Sequence, residues 1–319
     1  MNQFPFTRLL LPLSIAGAAL VYAISQRRVS RLAAGQVAII TGGSSGLGLA
    51  LAHELGRAGL KLVLASREEG ALEAARTELL SSGSVQSEDD VLIVVCDVSD
   101  RNQAARLIRR TVKTFRALDL LINDAGIIEV GPVESQSIDT FERSMAINFF
   151  GAVNTVFAAL PYLLKKKNGA IVNISSIGGK IPAPHLLPYV ASKFALTGFS
   201  EGLHVELRSK GIHVTTVCPG LMRTGGESHA HFSGNVEAEK AWFQTSARTP
   251  LLSADVHRAA KHIVNAVTAR QAEITITPQA WLAARLFGLA PETLQIIASL
   301  INEYVLPESS GSQTQMTLS

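Results

Sequence analysis

Tyr189 and Lys193 stand four residues apart, a separation that a helix turns into neighbouring side chains on one face. A free phenol, with a pKa of about 10, exchanges its proton poorly at neutral pH. A nearby ammonium favours the phenolate and draws that value toward the working range. On its own such a pair is an ordinary exposed helix pair. Ser176 lies 13 positions before Tyr189, just after the apolar run Ala170–Ile174. A hydroxyl there is a fixed donor to negative charge developing on a reacting oxygen. Ser175 competes for that role, and because side chains alternate along a strand, the two serines cannot both face the same way.

A second chemical feature lies near the start of the chain. The apolar run Val37–Thr41 leads into Gly42-Gly43-Ser44-Ser45-Gly46-Leu47-Gly48, and a helical pattern begins at once. Glycines let backbone turn tightly and approach a pyrophosphate, which then rests on the N–H groups and positive dipole of a helix N-terminus. The second apolar run ends Ala65-Ser66-Arg67 without a carboxylate. A ribose 2′-hydroxyl needs an acid at that point, whereas a 2′-phosphate needs a cation, for which Arg67 is the candidate; the alternative is a solvated arginine in a loop.

The elements that position these groups alternate. Strands are predicted at Val37–Thr41, Lys61–Ala65, Val91–Cys96, Leu118–Ile122, Ala170–Ile174, His213–Val217 and Glu273–Thr277. Helical patterns fill the gaps at Leu47–Ala58, Gly70–Leu80, Ala104–Phe115, Ser137–Lys165, Val190–Ser209 and Ala254–Ala269. Near-continuous apolar strands between helices predict a Rossmann-type, doubly wound, seven-stranded parallel sheet covered on both faces. No internal repeat or linker divides it, so one domain is expected.

Taken in order, these residues resemble the classical short-chain dehydrogenases/reductases. Thr41-Gly42-x-x-x-Gly46-x-Gly48 carries the resemblance first. Cys96-Asp97-Val98 resembles the family's segment beside an adenine ring. Asn123-Asp124-Ala125-Gly126 resembles its N-N-A-G element, with Asp in place of the second Asn. Asn148 with Gly151, Ser176, the Tyr189–Lys193 pair, and Pro219-Gly220 with Thr224 complete the series. Together they span residues 36 to about 277, roughly three-quarters of the chain.

The resemblance implies roles. Tyr189 gives a proton to a carbonyl oxygen or takes one from an alcohol, and Ser176, in register with it, holds that oxygen. Lys193 lowers the tyrosine pKa and holds the nicotinamide ribose, and Asn148 anchors a water that resupplies protons. NADP(H) is the implied cofactor. Gly42, Ser44, Ser45, Gly46, Leu47 and Gly48 cradle it, and Arg67, helped by Ser44 or Ser66, takes its 2′-phosphate. Asp97 and Val98 flank the adenine, while Asn123, Ala125 and Gly126 permit close approach. Pro219 and Gly220 turn over the nicotinamide, whose carboxamide Thr224 binds.

Charge separates the ends from the middle. The chain of 319 residues carries 29 basic and 26 acidic groups, a net +3 that supports no nucleic-acid partner. Residues 1–35 hold Arg8, Arg27, Arg28 and Arg31 and no acid, so the rest is nearly neutral. Residues 9–26 lack any charged side chain; as a helix they reach about 27 Å, close to the hydrocarbon core of a bilayer. A single membrane anchor fits this run better than a cleaved leader, because Ser25-Gln26-Arg27-Arg28 offers no small-residue cleavage site. The flanking arginines place the catalytic domain on the cytoplasmic side. Four segments result: an anchor with its basic flank at 1–35, the catalytic domain at 36–278, an apolar helical extension at 279–307 and a disordered tail at 308–319. Cys96 and Cys218 are expected only to pack. His229-Ala-His231 lacks a carboxylate partner, so no metal is predicted.

Substrate specificity in such a fold lies in loops at the C-terminal strand ends. Here these are Gly178–Pro188, where His185 is a candidate substrate contact with Ser176 and Tyr189, and Leu221–Pro250, long enough for a mobile lid. The apolar extension and the anchor point to a lipophilic carbonyl: a keto-lipid, a 3-keto sphingoid base, a steroid or a retinoid. Packing on the domain is the default role for 279–307; contact with a bilayer is the alternative. The resemblance leaves room for a homo-oligomer through the helices holding Asn148 and Tyr189. The rival from another class is a non-catalytic, membrane-tethered redox sensor, which loss of the serine, tyrosine or lysine would have favoured.

Overall fold

The computed structural model describes residues 32–223, 230–249 and 253–308. The expected anchor at 9–26, Thr224, His229 and all but Glu308 of the expected tail lie outside the described residues.

The sheet strands are β1 (Val37–Thr41), β2 (Lys61–Ser66), β3 (Val91–Val95), β4 (Leu120–Asn123), β6 (Ala170–Ile174), β7 (His213–Cys218) and β11 (Glu273–Thr275). They form one seven-stranded parallel sheet in the order β11-β7-β6-β4-β1-β2-β3. Successive residues of a strand point to opposite faces, and here both faces are buried. Ala38, Ile40, Leu62 and Leu64 pack on one side with Leu51, Leu55 and Ile263. Ile39, Val63, Leu121 and Ile171 pack on the other with Leu107, Ile108, Val156 and Leu163. That double burial is why the strands read as unbroken apolar runs.

The covering helices are α1 (Gly46–Arg57), α2 (Glu69–Ser81), α3 (Arg101–Phe115), α4 (Ile138–Ser144), α5 (Gly151–Lys166) and α6 (Leu187–Arg208). They are followed by α7 (Val236–Arg248), α8 (Val256–Thr268), α9 (Pro278–Leu289) and α10 (Pro291–Tyr304). The strand order changes direction between β1 and β4, and a ligand crevice opens at such a switch point beyond the carboxyl ends of the strands.

Several expectations are corrected. β4 starts at Leu120 rather than Leu118; just before it the Asp119 carboxylate accepts the Val37 amide at 3.0 Å and the Lys166 ammonium. β11 stops at Thr275, and Thr277 instead caps α9 by accepting the Ala280 amide at 3.2 Å. The single helix expected over 137–165 contains a π-turn, Met145–Phe150, between α4 and α5. The combined helical run Ile138–Lys166 is long and apolar enough to cross a membrane. Its Thr155, Val156, Ala159 and Leu163 are buried, and it packs as a helix of the domain.

The largest correction falls on Leu221–Pro250, read as one long loop. It contains two short strands, β8 (Leu221–Arg223) and β9 (Ala230–Phe232), and the whole of α7. β8 pairs with β10 (Ser253–Asp255), and β9 with β5 (Ile128–Val130), both in parallel. Asn235 caps α7, accepting the Ala238 amide at 3.3 Å. The default reading of the C-terminal extension also changes. On α9 and α10, Trp281, Leu282, Leu286, Leu289, Ile296 and Ile301 are all exposed.

β7 contains a buried histidine with a consequence for stability. His213 Nε2 lies 3.1 Å from the Gln271 carbonyl, and burial pulls the imidazole from the usual 6.5 down to about 4. Between those values the unfolded chain binds the proton and the folded chain does not, so stability falls as pH drops. Urea unfolding is expected to lose about 2 kcal/mol more between pH 7 and pH 4 for the wild type than for His213→Gln. Identical pH dependence in the two proteins would refute this assignment.

Candidate active site

The crevice is built on β1 and the turn after it. Thr41 Oγ1, at the end of β1, accepts the backbone amides of Asp124 and Ala125 at 3.1 and 3.2 Å. This ties the end of β4 to the glycine-rich loop. Gly42 and Gly46 have φ of +71° and +54°, conformations that favour glycine. A Cβ on Gly48 would stand 2.3 Å from the Gly42 carbonyl oxygen, so the loop closes only without one. α1 begins here without a side-chain cap from Ser45 and without an acid in its first turn. The result is a concave cradle of backbone amides at a positive helix end, which fits a dinucleotide pyrophosphate.

The expected catalytic residues stand beside this cradle. Ser176 follows β6 and shares a hydrogen bond with the Tyr189 hydroxyl; its Oγ also accepts the Gly178 amide at 3.0 Å. Ser175 faces the opposite way and is buried, donating to the Lys193 carbonyl at 3.1 Å and lying 2.7 Å from Thr197 Oγ1. It is therefore Ser176 that meets Tyr189. One turn along α6, the Lys193 ammonium donates to the Ile174 carbonyl at 2.9 Å and sits 5.6 Å from the Tyr189 ring centroid.

The electrostatics differ from the sequence expectation. Burial pushes the Tyr189 phenol up to about 12, opposed by the Ser176 hydrogen bond and reinforced by Asp124 and Cys218. Burial pulls Lys193 down to about 8, while the Asp124 carboxylate pushes the other way. Asp124 itself is pushed up to about 7 by burial, against the pull of Lys193 and the Gly48 amide. The three groups share one desolvated site, where burial outweighs their mutual attraction.

Asn148 lies in the π-turn, a distortion frequent at functional sites. Its side chain accepts the Ile127 amide at 2.8 Å and donates to the Ile127 carbonyl at 3.0 Å and to Ser192 Oγ at 2.9 Å. A Cβ on Gly126 would meet Asn148 Oδ1 at 3.0 Å and Lys193 Nζ at 3.7 Å, so both groups flank the same glycine. Asn123, a predicted cofactor residue, has its side chain committed within the fold. It accepts from Thr155 at 2.6 Å and donates to Asn173 at 2.9 Å.

The remaining predicted residues spread along the same edge. Ser66 ends β2, and its carbonyl accepts the Cys96 amide at 2.9 Å. Arg67 beyond it is exposed and makes no hydrogen bond or ion pair among the described residues. Asp97 accepts from the Ser99 amide and hydroxyl at 2.9 and 2.6 Å, and Val98 packs against Gly151. The Pro219 carbonyl accepts the Ile177 amide at 2.7 Å, and a Cβ on Gly220 would meet Thr277 Oγ1 at 2.5 Å.

His185 is drawn into a contact that sequence reasoning missed. It has a φ of +58°, and its Nδ1 lies 2.6 Å from the buried Glu239 on α7. Burial raises the Glu239 carboxyl, and His185 opposes the rise. His185 also lines a cavity of about 290 Å³ with Val133, Pro184, Leu187, Val190 and Ala298. The polar start of α7, capped by Asn235 with Glu237 and Glu239 in its first turn, was the signal that could have revealed this helix.

Known proteins resemble this chain in sequence and fold. The model of the short chain dehydrogenase family matches residues 36–231. The chain is 38% identical over 218 residues to a dehydrogenase/reductase SDR family protein 7-like of Anopheles gambiae, covering 68% of this chain and 69% of that one. It is 33% identical to a fatty acyl-CoA reductase of Acinetobacter baylyi, over 89% and 90% of the two chains. With 11-beta-hydroxysteroid dehydrogenase A of Sesamum indicum it shares 34% identity over 84% and 76%. A short-chain dehydrogenase/reductase from Burkholderia phymatum, solved in complex with NAD, superposes with a TM-score of 0.74 at 28% identity, covering 82% of this chain and 95% of that one.

Proposed function

Because the chain belongs to the short-chain dehydrogenase/reductase family, we propose that it is an NADP(H)-dependent oxidoreductase interconverting a lipophilic ketone and its secondary alcohol. The observation that carries this reading is the meeting of Ser176, Tyr189 and Lys193 beside the glycine-rich cradle. A bound nicotinamide dinucleotide supplies or accepts the hydride. The chain's own residues do the rest. Ser176 donates to the carbonyl oxygen and fixes it beside the phenol. Tyr189, whose proton is firmly held near neutrality, delivers that proton as negative charge develops on the oxygen. Lys193 keeps a positive charge next to the phenol that has just given up its proton. Asn148, which approaches Gly126 together with Lys193, belongs to the path by which the proton is replaced.

Arg67, exposed and unpaired among the described residues, supports a 2′-phosphate contact and hence NADP(H). The presence of all three reacting groups argues against a redox sensor without chemistry. A lipophilic substrate is supported by the apolar cavity lined by residues 182–185 and the start of α6, and by relatives whose names specify steroid and fatty acyl-CoA chemistry. The exposed apolar faces of α9 and α10, with Trp281 and Tyr304 among them, support a membrane-resting surface, in keeping with the membrane anchor read from residues 9–26.

The test is NADPH consumption with a long-chain keto-lipid, a 3-keto sphingoid base, a steroid ketone and a retinoid ketone, against a small polar ketone. At about 0.8 kcal/mol per buried methylene, at least one lipophilic substrate is expected to show a kcat/KM about 10²-fold above the small ketone. Brisk turnover of the small ketone with none of the lipophilic compounds would reject the substrate class.

A further inference from the structure

α1 begins without an anion of its own, yet an anion stands at its positive end. It comes from Asp124, the residue after β4. The Asp124 carboxylate accepts the backbone amide of Gly48, the third residue of α1. That amide is one of the donors a helix cannot satisfy internally. Asp124 Oδ2 lies 2.9 Å from the point a Cβ on Gly48 would occupy. Thr41 Oγ1, by accepting the amides of Asp124 and Ala125, fixes the backbone that aims this carboxylate.

A dinucleotide in the cradle places its pyrophosphate at the same helix end. Two anions there compete for one set of amides and one dipole, in a half-buried site that screens them poorly. The groups facing Asp124 are few. α6 presents Lys193 and Tyr189, β1 presents the Thr41 hydroxyl, and α1 presents backbone amides. Cys218 of β7 faces Lys193 and Tyr189, its thiol pushed up to about 12 by burial and so neutral. Lys193 is the sole cation acting on the carboxylate among the described residues, and it is partly neutralised by its own burial. The site therefore relieves the conflict most readily by neutralising Asp124, whose carboxyl already stands at about 7 before any ligand arrives.

We propose that Asp124 is a proton-linked gate of the cofactor site. On dinucleotide binding its carboxylate takes one proton from solvent and becomes a neutral acid, so the site grips the cofactor more tightly as pH falls. This inference rests on the dinucleotide reading above. Asparagine, the residue of the N-N-A-G element that Asp124 replaces, would present an acceptor to Gly48 without a charge, and no proton would be exchanged.

Infrared difference spectra, taken at pH 8 as NADH and, separately, NADPH bind the full chain, test this directly. A protonated carboxyl absorbs apart from a carboxylate and from any lysine signal, and NADH has no 2′-phosphate to titrate. In the wild type a carboxylic-acid band is expected to appear with either cofactor, and Kd to weaken about 5- to 10-fold between pH 6.5 and 8.5. In Asp124→Asn the band is expected to vanish and binding at pH 8.5 to tighten. A wild type that binds cofactor without gaining the band, or a band that persists in Asp124→Asn, overturns the inference alone. Failure of both dinucleotides to bind either protein overturns the dinucleotide reading and this inference with it.

Discussion

Replacing Tyr189 with phenylalanine is expected to lower kcat/KM for carbonyl reduction by about 10³-fold, within the range that a positioned general acid contributes. The substitution removes one hydroxyl, whose partner is Ser176, and leaves the ring beneath the Lys193 ammonium. The protein should remain folded and bind cofactor as before, so the loss should fall on the chemical step. Because the phenol stands at about 12, it is the proton-bearing form over the whole neutral range. Reduction by the wild type should therefore be insensitive to phenol ionisation below that value, whereas alcohol oxidation, which needs the phenolate, should accelerate as pH rises. Equal rates for Tyr189→Phe and wild type, measured as NADPH consumption with any ketone the enzyme accepts, would remove Tyr189 from the mechanism.

The second large effect is expected from Arg67→Asp. Arg67 follows β2, is exposed, and has no hydrogen-bond or ion-pair partner among the described residues, so its guanidinium is available to a phosphate. A charge-assisted hydrogen bond contributes about 1.5–3 kcal/mol, and solvent exposure places this one toward the lower end. On the proposed NADP(H) reading, an aspartate would remove this contact, repel the 2′-phosphate and offer an acceptor to a ribose hydroxyl. The ratio of kcat/KM with NADPH to that with NADH should fall by about 30- to 100-fold. The change should appear chiefly in the KM for the dinucleotide, with kcat little altered. Unchanged selectivity would show that another group reads the 2′ position.

Much of the molecule is legible from local pattern. Val37–Thr41 and Ala170–Ile174 are strands at the predicted bounds, because strands buried on both faces must be apolar throughout. Tyr189 and Lys193 share a face because four residues are about one helical turn. Ser176 rather than Ser175 meets the tyrosine because successive side chains of an extended chain point apart. α7 was missed although its capping Asn235 and first-turn acids were in view, because the surrounding stretch is polar and Gly/Ser-rich. The exposure of α9 and α10 was equally hidden, since an apolar helix face reads the same whether it is covered or bare.

The amino-acid sequence by itself determined the succession of the seven sheet strands and the helices between them, the glycine-rich turn and the identities and spacing of Ser176, Tyr189 and Lys193. Each is set by interactions within a few residues, where periodicity and backbone sterics decide. Tertiary structure alone decided that Asp124 meets the start of α1, that His185 meets Glu239, and that burial moves Tyr189 up and Lys193 down. Those outcomes depend on desolvation and on charges brought together from distant parts of the chain, and neither quantity exists until the elements have packed.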